Sequence, residues 1–259
     1  MSKFFQAVVK PTITVTALNA GNISATQILF DFAKFDVPNG SARFLGGHCL
    51  YRGKNGADYT PLDFELYFAK TDEEGTAPFL SADRRGTVDS TLTQTGAAHL
   101  LQSRTYVDAS LASNGADLIY GNIIMIEASG GASTASTSQD LVVTPILEGV
   151  PGSGSSKGYA SLCVASISKG NHNWGPSTMT VDGTMSTDSP VLTVADLDAT
   201  IALAPGDILR DEDDNLLGTV KSVDSATQVT LEANLANASA NDKLVFNTTP
   251  ITLVLGFEQ

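Results

Sequence analysis

Apolar and polar residues alternate with a period of two through most of this chain, the signature of half-buried β-strands. Gln27–Val37 (QILFDFAKFDV) sets Ile28, Phe30, Phe32 and Phe35 against Asp31 and Lys34. A slip of one residue near Ala33 predicts a β-bulge there. The run stops at Pro38-Asn39-Gly40. Ser41–Arg52 reads as the next strand, and the turn signal Asn55-Gly56 passes it into Leu62–Lys70, whose Leu62, Phe64, Leu66 and Phe68 form one apolar face. These two strands are expected to form a core hairpin. Phe4–Thr16 reads as a strand or an arm, with Pro11 marking a bend or an edge position because proline cannot donate to a ladder.

From Thr71 to Asn114 the alternation fades, leaving a short helical candidate at Ala97–Gln102. A stretch of that length is either a contact loop or a region whose strands lack a clear pattern. Strands resume at Leu118–Ala128, Leu141–Leu147 and Tyr159–Ser168, separated by the loops Ser129–Gln139 and Gly149–Gly158. Lys169–Ser189 is a polar connector.

Pro205–Leu231 (PGDILRDEDDNLLGTVKSVDSATQVTL) is a small β-unit complete in itself. A turn at Pro205-Gly206 launches Asp207–Arg210, the acidic run Asp211–Asn215 reverses the chain, Leu216–Val223 returns, and Asp224–Thr227 turns into Gln228–Leu231. One strand follows, Ile251–Phe257, too short to stand alone. A strand arriving from the far end of the chain finds its place at an edge or slot left by its predecessors. The pattern therefore predicts an all-β protein: an antiparallel, jelly-roll-like β-sandwich over 1–180 plus 250–259, with a small acidic β-barrel at 190–248 inserted before the last strand.

Composition supports this, with 42% apolar residues, 17% charged and 23 glycines for tight turns. The net charge of -13 leaves no broad basic surface for phosphates, so nucleic acid is not an expected partner. Val191–Thr249 carries ten acids against three bases. No run approaches membrane-spanning length, and Gln6, Lys10 and Pro11 interrupt any signal-peptide core. Cys49 and Cys163 lie far apart in strand-like runs, where buried thiols are commoner than a bridge.

Chemical motifs are absent or broken. The acidic turn fails the calcium-loop pattern, with Leu216 where Gly and Ser222 where Glu is required. The glycine run 149–158 lacks the Gly before Lys157 that a phosphate loop needs. His48 adjoins Cys49, but strand neighbours point to opposite faces. His99 and His172 sit in irregular stretches with no nucleophile-elbow sequence nearby. No catalytic, metal or cofactor site is expected. Trp174, in the polar loop beside His172, has two readings: an exposed contact anchor for protein or sugar, or a plug at the end of the sandwich core.

Three stretches resemble a family of virion structural proteins from tailed bacteriophages, especially the contractile-tailed viruses of marine cyanobacteria: Met1–Val15 (MSKFFQAVVKPTITV), Ile28–Phe44 and Pro250–Glu258 (PITLVLGFE). The acidic insert resembles small β-modules of phage head and tail proteins. The resemblance implies a non-catalytic capsid decoration or cement protein on the virion surface, made in the host bacterial cytoplasm; a neck or tail component is also compatible. Its partners would be the major capsid protein or other virion proteins, with a homo-oligomer compatible too. Extended arms and strand edges would do the clamping, which makes Phe4, Phe5, Val8, Val9, Pro11, His172 and Trp174 the candidate interaction residues. The competing reading is a carbohydrate-binding or adhesion module built around His172 and Trp174.

Overall fold

A computed structural model of the protein describes residues 3–19, 28–36, 40–51, 64–70, 100–108, 119–124, 146–149, 161–168 and 178–259. Its elements in chain order are β1 (Phe4–Val9), α1 (Val15–Asn19), β2 (Ile28–Asp36), β3 (Gly40–Tyr51), β4 (Phe64–Lys70), β5 (Leu100–Asp108), β6 (Ile119–Ile124), β7 (Ile146–Gly149) and β8 (Ser161–Ser168). The second half holds β9 (Thr180–Val181), β10 (Val191–Ala195), α2 (Ala199–Ala202), β11 (Ile208–Asp211), β12 (Leu216–Ser225), β13 (Gln228–Leu231), β14 (Val245–Asn247) and β15 (Ile251–Glu258). The chain is all-β with two short helices among the described residues, and every strand pair is antiparallel.

Nine strands form one sheet in the order β1-β15-β3-β6-β5-β4-β8-β2, with β7 beside the start of β3. The sheet curls over its own apolar face. Phe44 of β3 meets Phe68 of β4 at 5.1 Å between ring centroids, although two strands separate β3 from β4 in the sheet. Phe257 of β15 lies 5.9 Å from Phe35 of β2, which belongs to the opposite end of the order. The result is a sandwich whose core holds Phe30, Phe35, Phe44, Leu66, Phe68, Leu253, Leu255 and Phe257.

β15 runs back between β1 and β3, in register from Ile251 opposite Tyr51 to Glu258 opposite Arg43. Its strict burial alternation explains why: Ile251, Leu253, Leu255 and Phe257 all face the core and all are buried. Where β15 and β3 cross most closely, Gly47 is required, since a Cβ there would run into the Val254 carbonyl oxygen. Gly47→Ala is expected to cost about 1–3 kcal/mol through overpacking. A lowered thermal midpoint of the variant would show it, and an unchanged one would mean that β15 does not sit this close.

Several expectations need correction. The predicted hairpin between Ser41–Arg52 and Leu62–Lys70 does not form: β3 pairs with β15, β6 and β7, and β4 pairs with β5 and β8. Alternation reports which face of a strand is buried and says nothing about which strand lies beside it. Within the irregular stretch 71–114, β5 is a strand and replaces the helical candidate at Ala97–Gln102 over Leu100–Gln102. The first strand ends at Val9 rather than Thr16, before Lys10 and the donor-less Pro11, and the chain then forms α1 with Ile13, Val15 and Leu18 buried. In the 141–147 region the described strand is Ile146–Gly149. The slip near Ala33 is present as a register shift between Phe30 and Ala33. Cys49 is a buried thiol, and His48 beside it is exposed.

A second sheet of six strands, ordered β14-β11-β12-β13-β10-β9, carries its own core of Val181, Leu192, Val194, Leu209, Leu217, Val220, Val229 and Val245, among others. It closes almost into a barrel. The amide of Val181 in β9 donates to the Lys243 carbonyl at 2.8 Å, and that of Val245 to the Met179 carbonyl at 2.8 Å, so the last strand in the order returns beside the first. Closure leaves little open edge to aggregate. α2 is capped by Asp198, whose carboxylate accepts from the Thr200 amide at 2.8 Å and from its hydroxyl at 2.6 Å. Those two bonds, the hydroxyl first, hold the Asp198 carboxyl below its ordinary value.

β14 belongs to both cores. Val245 points into the barrel interior, whereas the next residue, Phe246, points into the sandwich interior. No helix among the described residues is long and apolar enough to cross a membrane.

Candidate interaction surface

The outer face of β1, β15 and β3 mixes exposed apolar side chains with polar ones. On β1 the alternation puts Phe4, Gln6 and Val8 outward, with Phe4 71% and Val8 63% exposed. Beside them on β15 lie Glu258, Gly256 and Val254, and beyond those on β3 lie Arg43, Gly46 and His48. A register shift between Gly256 and Phe257 leaves Leu45 as the extra residue of a bulge, with Gly46 at φ 128° completing it. The bulge turns Leu45 to the exterior, where it is 46% exposed. Phe4 and Val8 stand on a strand with one hydrogen-bonded neighbour among the described residues, and Leu45 on the bulge of β3, so the three make this face the candidate contact surface.

The sequence-predicted residues divide by strand parity. Phe4 and Val8 are on the outer face. Phe5 stacks on Phe257 at 5.0 Å and 12°, Val9 is buried in the sandwich core, and Pro11 is buried as well. These three pack inward and hold β1 against the core. His172 and Trp174 lie outside the described residues. Leu45 was not foreseen; the Gly46-Gly47 pair within an otherwise alternating run is the signal that marks it, since strand glycines often accompany bulges.

A second feature joins the N-terminal segment to the barrel. Asp207 is fully buried, and one of its carboxylate oxygens accepts from the Ala204 amide and the Asn247 side-chain amide, each at 2.9 Å. Lys10 lies 3.5 Å from its other oxygen and also donates to the Pro205 carbonyl at 3.1 Å. The Asn247 oxygen in turn accepts from the Thr249 amide at 2.9 Å and its hydroxyl at 3.2 Å. The Ile13 amide donates to the Thr248 carbonyl at 2.7 Å. The cluster therefore ties Lys10 and Ile13, just past β1, to the residues where the chain leaves the barrel. It is a satisfied structural network, because each polar atom named has a partner within the fold.

The acidic turn is likewise committed internally. Asp211 is buried and accepts from the amides of Asp213 at 3.0 Å and Asn215 at 2.9 Å, shaping the reversal itself. Lys243 donates to Asp213 at 2.7 Å and lies 2.8 Å from Glu212. These bonds, Asp213 first, raise the Lys243 ammonium above its ordinary range. In the next hairpin, β12–β13, Asp224 accepts from Thr230 at 2.6 Å and Ser222 at 2.7 Å, and both bonds, Thr230 first, hold its carboxyl low. Among the described residues no group of three or more His, Cys, Asp or Glu side chains is arranged to hold a metal ion. No protein-family model matches the chain, and no curated protein matches it.

Proposed function

We propose that this chain is a non-catalytic virion structural protein that decorates and stabilises a phage capsid by bridging shell subunits. The observation that carries the reading is the outer face of β1, β15 and β3, on which Phe4, Val8 and Leu45 stand exposed on hydrogen-bonded strands. A cement protein works by burying surface across joints between subunits, which calls for a firm apolar platform rather than a reactive pocket. The resemblance of Met1–Val15 and Pro250–Glu258 to tailed-phage virion proteins concerns these same two strands. The barrel supports the role from the other side: its excess of acids disfavours contact with DNA and with further copies of itself.

The test is co-sedimentation of the purified chain with empty, tail-less phage shells. The chain is expected to pellet with them at a saturable stoichiometry, and the double variant Phe4→Asp, Val8→Asp to bind at least about tenfold more weakly. Both side chains are exposed, so the variant should keep the wild-type thermal midpoint. Binding to host cells or glycans with no affinity for shells would replace this reading with adhesion. Equal binding by the double variant would remove β1 from the contact.

A further inference from the structure

Lys10, Asp207 and Asn247 stand in the order that an amide-forming reaction needs. One oxygen of the fully buried Asp207 carboxylate lies 3.5 Å from the Lys10 Nζ, and the other accepts from the Asn247 Nδ2 at 2.9 Å. A single carboxylate therefore touches both an amine and a primary amide. The oxygen that faces Asn247 is steadied further by the Ala204 amide, also at 2.9 Å.

The Asn247 side chain is set up at its carbonyl as well. Its Oδ1 accepts from the Thr249 amide at 2.9 Å and from the Thr249 hydroxyl at 3.2 Å. That hydroxyl oxygen accepts in turn from the Ile208 amide at 3.0 Å, which leaves its own proton for Asn247. Two fixed donors on one carbonyl oxygen polarise it toward attack and are in place for an oxyanion formed there. Asn247 is 8% exposed and Thr249 is fully buried, so these donors meet little competition from water.

The nucleophile has access from outside. The Lys10 side chain is 28% exposed and passes over Gly206, where a Cβ would come within 3.0 Å of Nζ. Gly206 also has φ 83°, so its backbone angle and its missing side chain both suit this approach. Holding amine, amide and acid in one place replaces a bimolecular encounter with an intramolecular one.

We infer that Lys10 and Asn247 form an intramolecular isopeptide bond, with Asp207 as the catalytic carboxylate. One proton passes from Nζ to Asp207, leaving a neutral amine beside a neutral acid, and rotation about the outer bonds of the lysine carries Nζ on to Asn247. The Nζ lone pair forms a bond to Cγ, and the carbonyl electrons move onto Oδ1 between the two Thr249 donors. Asp207 gives its proton to Nδ2 and takes a second one from Nζ. The Cγ–Nδ2 bond then breaks, its electron pair leaves with ammonia, and the carbonyl re-forms. Nothing is oxidised or reduced. Lys10 ends as an amide and Asp207 as a neutral acid, so the reaction also discharges a pair of ions that is costly to hold away from water. The freshly folded, unreacted chain is the ion-paired cluster described above. The bond would make covalent the tie between the end of β1 and the exit of the barrel.

The test is the intact mass of the purified full chain, fresh and after a week of incubation, with peptide mapping to locate any change. The wild type is expected to become lighter by one ammonia and to yield a branched peptide that joins Lys10 to Asn247. Lys10→Arg keeps the charge without a primary amine, and Asp207→Asn keeps the shape without relaying the proton; both are expected to lose the branched peptide. A folded wild type still at full mass after incubation overturns the inference, as does an ammonia loss that maps elsewhere or persists in Lys10→Arg. Bond formation at the wild-type rate in Asp207→Asn overturns the part given to the carboxylate. If that variant fails to fold, the branched peptide of the wild type and its loss in Lys10→Arg decide. The inference is independent of the capsid role: a branched peptide in a chain that ignores shells supports it and removes that role, and a full-mass chain that binds shells does the reverse.

Discussion

Asp207→Ala is expected to destabilise the folded chain by about 3 kcal/mol. The carboxylate is fully buried, and its loss strands the Ala204 amide and the Asn247 side-chain amide, both of which donate to it at 2.9 Å. Each stranded donor costs about 1–3 kcal/mol, because no water replaces the lost acceptor. Lys10→Met should cost less, about 1–2 kcal/mol, since it leaves the buried carboxylate without its cation but with both amide donors, and the lysine itself is 28% exposed. Urea denaturation of the two variants checks the contrast. Equal, small losses for both would mean that water reaches Asp207 and that the network is not a buried tie.

Phe257→Ala should be at least as damaging, at about 3–5 kcal/mol. Its ring is completely buried and lies 5.0 Å from Phe5, 5.4 Å from Phe44 and 5.9 Å from Phe35. Those three rings come from three different strands, so the cavity opens where the sheet folds over itself. Phe5 would lose the ring against which it is stacked. Amide exchange at Ala7 and Val9, which bond to β15, should then accelerate more than exchange within the barrel. Phe4→Ala, next in sequence and 71% exposed, should stay within about 0.5 kcal/mol of wild type. Similar losses at Phe4 and Phe257 would contradict the inward and outward assignment of β1 and β15.

The all-β class and most strand positions were legible because a period of two survives wherever one face of a sheet is buried, as in Phe30 to Phe35 and Ile251 to Phe257. Turn chemistry located the hairpin of β11 and β12, since the acid-rich reversal after Arg210 needs residues that bond their own backbone, and Asp211 does so. Neighbour relations were not legible. Nothing in Ser41–Arg52 records that its flank will be taken by a strand some two hundred residues later, because that choice is settled by the fit of whole faces and not by local pattern. β5 was missed for a related reason: Leu100–Asp108 (LLQSRTYVD) carries weak alternation, and its place comes from pairing with β4 and β6. At the candidate surface, alternation alone could have divided Phe4 and Val8 from Phe5 and Val9. Leu45 needed the bulge, and the tie between Lys10 and Asp207 joins residues that only the folded chain brings together.

That β14 feeds one side chain to each interior has a mechanical consequence. A pull on the barrel passes straight into the sandwich through Val245 and Phe246, with the contacts of Lys10 and Ile13 as a parallel strut. The two bodies should yield to force in a single event rather than swing about a joint. Excising the barrel with a short splice would also take out Phe246 and leave a hole in what remains.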